Sequence, residues 1–201
     1  VEGNEQCDGG TIHESCTEIG FAAGEVGCNP DCTYNTNKCA PHLKDCNRGT
    51  CVITACEQLS EINNFRHRTD TNAIGGRYVL GNDLDCTGID VQMIGDDPFY
   101  YTTTREFKGE FDGNGHTIKG LNFYRQYSGS IGGVPAGVEL WWKNISVGLF
   151  KHIGGAGRVH DLTLQDVNVT GAVKVGGIAG VNEGSIERVK VNGTVKGSKQ
   201  I

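Results

Sequence analysis

Apolar residues recur at a fixed interval in the last third of the chain. One set returns 28 residues later: Val147, Phe150 and Ile153 return as Val175, Ile178 and Val181. A second set returns 27 residues later: Gly157, Val159, Leu162 and Leu164 return as Gly184, Ile186, Val189 and Val191. The same spacing occurs upstream at Ile118, Leu121 and Phe123. A period in the twenties indicates stacked units that bury a shared apolar face.

This pattern predicts an all-β fold, a right-handed parallel β-helix in which short strands stack and glycines form the corners. The expected inward stacks are three: Ile118 with Val159 and Ile186, Leu121 with Leu162 and Val189, and Phe123 with Leu164 and Val191. A leucine-rich repeat has similar spacing, but it requires Asn or Cys where this chain has Val167 and Thr194. The β-helix is therefore favoured over the leucine-rich repeat.

A short helix is predicted ahead of the repeats, over residues 55–65. Thr54 and Glu57 have the spacing of a capping box. The apolar residues that follow have helical spacing: Leu59, Ile62 and Phe65. We expect this helix to cover the open end of the β-helix, because exposed strand edges need shielding. Tyr78–Leu80 is expected to be a strand of the first coil.

Cysteines concentrate in the first 57 residues, a segment with few large apolar side chains. The nine cysteines are Cys7, Cys16, Cys28, Cys32, Cys39, Cys46, Cys51, Cys56 and Cys86. Such a segment needs covalent links, and the absence of a Cys-x-x-Cys pair favours disulfides over zinc. We expect at least three disulfides within residues 1–56, a bridge from Cys86 to Cys56 in preference to Cys51, and one thiol left over. Disulfides predict an extracellular location.

Charge divides the chain at the same place. The formal net charge is −6, and it comes from residues 1–57. The predicted organisation is a cysteine-rich disulfide module at 1–40, a connector at 41–57 and a β-helix at 58–201, with an insertion at about 124–146. No basic patch is available to bind nucleic acid, and no apolar run is long enough for membrane insertion.

The first residues resemble a known module. The run VEGNEQCDGG and the cysteine spacing up to residue 39 are similar to a small cysteine-rich module of secreted and surface proteins in bacteria and some protists. In that module a Cys-Gly-(Asp/Asn)-Gly stretch comes before the equivalent of Val1. The resemblance therefore implies that Val1 is not the natural start of the module, and it implies no catalytic residue.

The repeats resemble a second family. The run VGGIAGVNEGSIERVKVNGTV, residues 175–195, is similar to the GLUG repeat, and GEFDGNGHTIKGLNF, residues 109–123, is similar to the stretch that precedes such repeats. The resemblance extends over about residues 54–201. It implies a large secreted bacterial protein of the adhesin-like kind, or a non-catalytic stalk of the kind found in some immunoglobulin A proteases.

Candidate catalytic residues are few. Asp112 and His116 stand in an Asp-Gly-Asn-Gly-His run that is typical of a corner turn. The 27-residue offset places His160 beside Glu187 and Asp161 beside Arg188, as opposite-charge pairs rather than paired carboxylates. The sequence therefore predicts no catalytic residue, no metal and no cofactor. A calcium site at the acidic turns, Asp83/Asp85 or Asp96/Asp97, is the alternative left open.

Binding and modification sites are predicted at two kinds of residue. Trp141 and Trp142 in the insertion are either a plug beside the repeats or a contact platform for carbohydrate or protein. Three sequons offer glycosylation sites, with the Asn168 side chain expected to point outward: Asn144, Asn168 and Asn192.

These observations favour an extracellular, surface-associated structural or adhesive protein that is not an enzyme. Its expected partner is a protein or glycan surface of unknown identity. One alternative is a polysaccharide-binding or polysaccharide-cleaving protein. Another is a subunit of a homopolymeric filament, because no cap is visible after the last repeat and head-to-tail self-association would cover that end.

Overall fold

A computed structural model of the chain describes the following residues: 7, 14–40, 42–43, 49–64, 73–95, 105–125, 146–171 and 174–197. Their helical elements are α1 (Cys56–Glu61) and a 3₁₀ helix at Ile62–Asn64. Their strands are β1 (Ala23–Gly24), β2 (Gly27–Cys28), β3 (Tyr34–Asn35), β4 (Cys39–Ala40), β5 (Thr50–Ile53), β6 (Ala73–Ile74), β7 (Arg77–Leu80), β8 (Leu84–Asp85), β9 (Glu106–Phe107), β10 (Glu110–Asp112), β11 (Thr117–Lys119), β12 (Asn122–Arg125), β13 (Phe150–Ile153), β14 (Arg158–His160), β15 (Thr163–Gly171), β16 (Ala179–Asn182), β17 (Ser185–Glu187) and β18 (Lys190–Gly197).

The predicted fold class, an all-β right-handed parallel β-helix, is wrong. The described part of the chain is mixed α/β, with parallel strands distributed over separate sheets and one α-helix. Two antiparallel strand pairs, β1–β4 and β2–β3, lie in the cysteine-rich segment. The sheets do not close into a solenoid over the described residues. The sequence period gives the number of residues between two strands that pair in parallel. That number does not determine whether the sheets close into a solenoid.

The parallel strands of the described residues belong to three sheets. Sheet 1 has the order β17-β14-β10-β7-β5, and sheet 2 has the order β16-β13-β9-β6. Sheet 3 has the order β12-β15-β11-β8, and β18 also pairs with β15. The long strand β15 pairs with β11 through its first residues and with β12 through its last ones.

The predicted register is correct for the last strands and wrong upstream. Val159 pairs with Ile186, and Leu164 pairs with Val191, as the 27-residue offset predicts. Ile118, however, pairs with Leu164 rather than with Val159, because Phe111 occupies the position beside Val159. The upstream residues with this spacing therefore pair with a different strand from the one that the sequence predicts.

Phe123 and Ile153 also have partners that differ from the predicted ones. Phe123 pairs with Val169 rather than with Leu164. In sheet 2, Ile153 pairs with Asn182 rather than with Val181, one residue away from the expected offset of 28. Apolar spacing alone cannot resolve such shifts, because a neighbouring residue of similar polarity satisfies the same pattern.

The core lies between the sheets and is rich in aromatic rings. Phe107 and Phe150 have ring centroids 4.8 Å apart, and Phe111 meets Phe150 edge-on at 5.6 Å. Leu162 is buried, as predicted. Ile186 and Val191 were predicted to point inward with it, but they are 36% and 44% exposed, since β17 and β18 are outer strands in the described sheets.

The helix is shorter than predicted, and its capping differs. It begins at Cys56 and ends at Glu61, where the sequence predicts residues 55–65. Its N-cap is Ala55, and the side chain of Gln58 accepts hydrogen bonds from the backbone N–H groups of Thr54 (2.7 Å) and Ala55 (3.0 Å). Gln58 therefore performs the capping that the sequence assigned to Thr54 and Glu57.

Disulfides tie the cysteine-rich segment and the helix to the sheets. The bridges are Cys7–Cys28, Cys16–Cys39 and Cys56–Cys86, and Cys51 is also disulfide-bonded. The Cys56–Cys86 bridge is the one that the sequence favoured. Cys46 lies outside the described residues. Cys32 carries a thiol, and its backbone carbonyl accepts a hydrogen bond from the backbone N–H of Cys7 at 3.3 Å. These disulfides indicate a secreted or extracellular protein.

Among the described residues, no helix is long and apolar enough to cross a bilayer.

Candidate functional site

The outward face of sheet 1 carries two rows of side chains, mostly charged, on strands that pair in register. One row across the strands contains Arg77, Glu110, Arg158 and Ser185. The row two residues further along contains Val79, Asp112, His160 and Glu187. Parallel strands in register place such side chains about 4.8 Å apart, which is close enough for ion pairs. We call these two rows, with Asp161 and Arg188 at their end, the charged ladder.

Glu110 is the centre of the first row. Its carboxylate lies 3.0 Å from Nε of Arg77 and 3.6 Å from Nη1 of Arg158. Arg158 also reaches Glu187 of the second row, with Nη2 3.2 Å from Oε2 of that residue. Opposite charges therefore alternate from strand to strand, which stabilises this order of strands.

His160 links the two rows. Its Nε2 lies 3.0 Å from Oε1 of Glu110, and its Nδ1 lies 2.7 Å from Oδ2 of Asp161. Asp161 in turn accepts two hydrogen bonds from the guanidinium of Arg188, at 2.5 and 2.7 Å. The predicted pairs His160 with Glu187 and Asp161 with Arg188 are thus neighbours in the structure.

The pKa values follow from this pairing. Burial lowers the pKa of His160, but the hydrogen bonds to Asp161 and Glu110 outweigh burial and raise it above the ordinary value. The Arg188 guanidinium and then His160 hold the pKa of Asp161 well below its usual range. The hydrogen bond from His160 and the nearby Arg77 lower the pKa of Glu110. The charged ladder is therefore stable in its ionised form.

The carboxyl groups whose pKa shifts are resolved are all shifted in the same direction. A glycosidase needs one carboxyl group with a raised pKa beside one that stays ionised. Among the described residues, every carboxyl group with a resolved pKa shift is shifted downward: Glu18, Asp31, Asp83, Asp85, Glu110, Asp161 and Glu187. None of the carboxyl groups with a resolved shift therefore has the raised pKa that such an acid needs.

Asp112 and His116, the pair predicted to form a corner turn, have separate partners. Asp112 accepts a hydrogen bond from the backbone N–H of Asn114 at 2.8 Å. Asn114 has a φ of 51° and Gly115 a φ of 79°, a left-handed conformation that Asn and Gly tolerate best. His116 lies 3.1 Å from Asp83. The corner-turn interpretation is therefore confirmed.

The acidic turn that could have held calcium is also engaged in local contacts. Asp83 accepts from the backbone N–H of Thr117 at 2.8 Å, and Asp85 accepts from the N–H of Thr87 at 3.1 Å. The bond from Thr117 lowers the pKa of Asp83, and the side chain of Thr87, followed by its backbone N–H, lowers the pKa of Asp85. Asp96 and Asp97 lie outside the described residues.

Several predicted binding residues lie outside the described residues as well: Trp141, Trp142 and Asn144. Asn168 and Asn192 are exposed, and the Asn168 amide donates to the side chain of Asn122 at 3.3 Å. Asn168 therefore points outward, as predicted, and glycosylation of the three sequons stays a prediction.

Sequence reasoning missed the charged residues in the first half of the ladder and a cavity at another face. Arg77 and Glu110 belong to strands outside the 27-residue repeat, so the repeat could not place them. The cavity has a volume of about 740 Å³ and a polar lining that includes Asn63, Gln92, Arg105, Asn122, Tyr124 and Lys151. Its residues come from five separate parts of the chain, and no local motif marks them.

No protein-family model, curated protein or solved structure matches this chain. The resemblances to the GLUG repeat and to the cysteine-rich module therefore stay predictions from the residues alone.

Proposed function

We propose that the chain is an extracellular, surface-associated structural or adhesive protein that does no catalysis. The observation that carries this proposal is the charged ladder. Its acidic and basic side chains are paired with one another across four parallel strands, which supports a structural surface.

The disulfides support the same function. They link the cysteine-rich segment within itself and fasten α1 to the strand region through Cys56 and Cys86. Covalent links keep a small segment folded where reducing agents are absent and proteases are present. A protein exposed at a surface needs this resistance, and the GLUG-like and module-like runs point to surface proteins too.

Attachment of coated beads tests this proposal. Beads carrying the disulfide-intact chain are passed over cell layers and over immobilised extracellular glycoproteins, and the fraction that stays bound is counted. We expect retention above that of beads carrying the reduced and alkylated chain, because that chain lacks the fold. Equal retention of both bead types on every surface would contradict the proposal.

Glycan binding is the second candidate, and the polar cavity favours it. Tyr124 is 62% exposed and lies in the lining together with amide side chains such as Gln92 and Asn122. Sugars stack on aromatic rings and hydrogen-bond to amides. A glycan array tests this function with Tyr124→Ala, whose signals should fall, and with Tyr34→Ala as the control. Tyr34 lies in the cysteine-rich segment, bonded to Glu14, so its loss should leave the signals unchanged.

Filament formation by head-to-tail self-association stays a prediction. Sedimentation velocity over a wide concentration range tests it, since a heterologous contact produces assemblies that grow with concentration.

A further inference from the structure

We propose that Glu106, His152 and Glu183 bind a divalent transition-metal cation of the zinc class on the outer face of sheet 2. The three residues belong to neighbouring parts of that sheet. Phe107 pairs with Ile153, which places Glu106 beside His152 on β9 and β13. Glu183 follows the end of β16, and its backbone N–H donates to the carbonyl of Ile153 at 2.8 Å.

The donor atoms converge. One ligand atom from each of the three side chains lies within 4.8 Å of those of the other two. Nε2 of His152 and Oε2 of Glu183 are 3.4 Å apart. Two ligands of a tetrahedral zinc ion with bonds of about 2.1 Å also lie about 3.4 Å apart. This pair therefore already has the spacing that a shared cation requires.

His152 supplies an independent observation. Its Nε2 is buried and has no hydrogen-bond partner among the described residues, although the side chain as a whole is 17% exposed. A buried polar atom without a partner has lost its hydrogen bonds to water and gained none in exchange. The contact to Glu183 has the distance of an ion pair, but it does not satisfy that nitrogen as a hydrogen bond. A cation between the two atoms would satisfy both.

His160 shows what a purely structural histidine looks like in this fold. Both of its nitrogens have carboxylate partners at hydrogen-bond distance, from Glu110 and Asp161, and Asp161 is also bound by Arg188. Both ring nitrogens of His160 are therefore engaged. His152 differs from it in keeping one nitrogen available.

Gly154 makes room for the third donor. A Cβ at this position would lie 2.5 Å from Oε2 of Glu106 and 3.0 Å from its Cβ. The missing side chain therefore lets the Glu106 carboxylate lie over β13. Lys108 is the charged neighbour, with Nζ 3.3 Å from Oε2 of Glu106. Its side chain is 38% exposed, so its ammonium group can turn into solvent when a cation neutralises the carboxylate.

The donor set selects the class of cation. One imidazole and two carboxylates suit zinc and its first-row neighbours, whereas calcium and magnesium prefer oxygen ligands throughout. Two carboxylates also neutralise the double charge of the ion. Bound in this way, the cation would link β9, β13 and the end of β16 across sheet 2.

Calorimetric titration of zinc into the disulfide-intact chain tests the site. We expect saturable binding that Mg²⁺ and Ca²⁺ do not displace, and a loss of affinity of at least about 10-fold in His152→Gln. Glu183→Gln is the second variant, since Glu183 is 61% exposed and its change should not disturb folding. His116→Gln is the matched control, because His116 bonds to Asp83 on a different face.

A thermal readout accompanies the titration. Zinc should raise the unfolding temperature of the wild type and of His116→Gln, and it should leave that of His152→Gln unchanged, because a ligand stabilises only the state that binds it. Wild-type affinity in both His152→Gln and Glu183→Gln would overturn the proposal, and so would the absence of saturable zinc binding to the wild type.

Discussion

Individual residues in this chain divide into those that fill the core and those that balance charge. Leu162 belongs to the first group: it is 1% exposed and follows the turn residue Asp161 between β14 and β15. His160, next to that turn, belongs to the second group. The two kinds of residue lie side by side, so single substitutions separate their contributions.

Leu162→Ala should lower the free energy of unfolding by about 2–5 kcal/mol, because it leaves a cavity in a buried position. Chemical denaturation measures this change. Ile186→Ala is the control, since Ile186 is 36% exposed and its loss should cost less. Equal losses in the two variants would contradict the assigned burial.

His160→Gln should alter how stability depends on pH. The folded-state pKa of His160 is raised, so the charged imidazole stabilises the fold fully below its ordinary pKa of about 6.5. That contribution is lost as the pH rises through the higher folded-state value. The wild type should therefore lose stability over this range, and His160→Gln should lose less. Parallel pH profiles for both proteins would show that His160 carries no stabilising proton.

At the scale of elements, the helix α1 is held by its cap and by its disulfide. Gln58 is buried and accepts two backbone hydrogen bonds ahead of the helix. Glu61 at the other end accepts a hydrogen bond from the backbone N–H of Leu43 at 2.7 Å and contacts His42, which joins the cysteine-rich segment to the helix. Both ends of α1 are therefore fastened to other parts of the chain.

Gln58→Ala should cost about 1 kcal/mol of stability or somewhat more, because it removes the cap and leaves two backbone N–H groups without their acceptor. Glu57→Ala is the control that separates this assignment from the sequence-based one, in which Glu57 completes the capping box. Urea denaturation of both variants gives the comparison. A larger effect in Glu57→Ala would restore the original assignment.

The double substitution Cys56→Ser with Cys86→Ser should lower the free energy of unfolding by about 2–4 kcal/mol. The bridge closes a loop with a sequence separation of 30 residues, and its loss gives the unfolded chain more freedom. Denaturation without reductant measures the difference. An unchanged midpoint would mean that α1 is held by packing and by Gln58 alone.

At the scale of the whole molecule, the sequence anticipates local pairing better than architecture. The 27-residue period predicts the pairing of Val159 with Ile186, and the expected layout of the first strand and turn favours the bridge from Cys86 to Cys56 over one to Cys51. The sequence does not predict the fold class correctly, because a repeat determines which strands are neighbours and not how separate sheets pack together. The repeat also predicts the pairs His160 with Glu187 and Asp161 with Arg188 in the charged ladder. It does not predict the position of Glu110, which lies outside the repeat.

The cluster around His152 shows a further limit. Its three residues are far apart in the chain and stand in no known ligand motif, and the predicted offset in sheet 2 is one residue away from the real one. Only the observed register brings Glu106, His152 and Glu183 together.

Release of new chain ends from polysaccharides is the most direct test of the central claim that this surface is structural and not catalytic. The disulfide-intact chain is incubated with neutral and acidic polysaccharides, and reducing ends and unsaturated products are measured over time. The ion-paired carboxylates of the charged ladder predict no turnover above that of a sample without protein. Turnover by the wild type that is abolished in Glu110→Gln or His160→Gln would contradict the account.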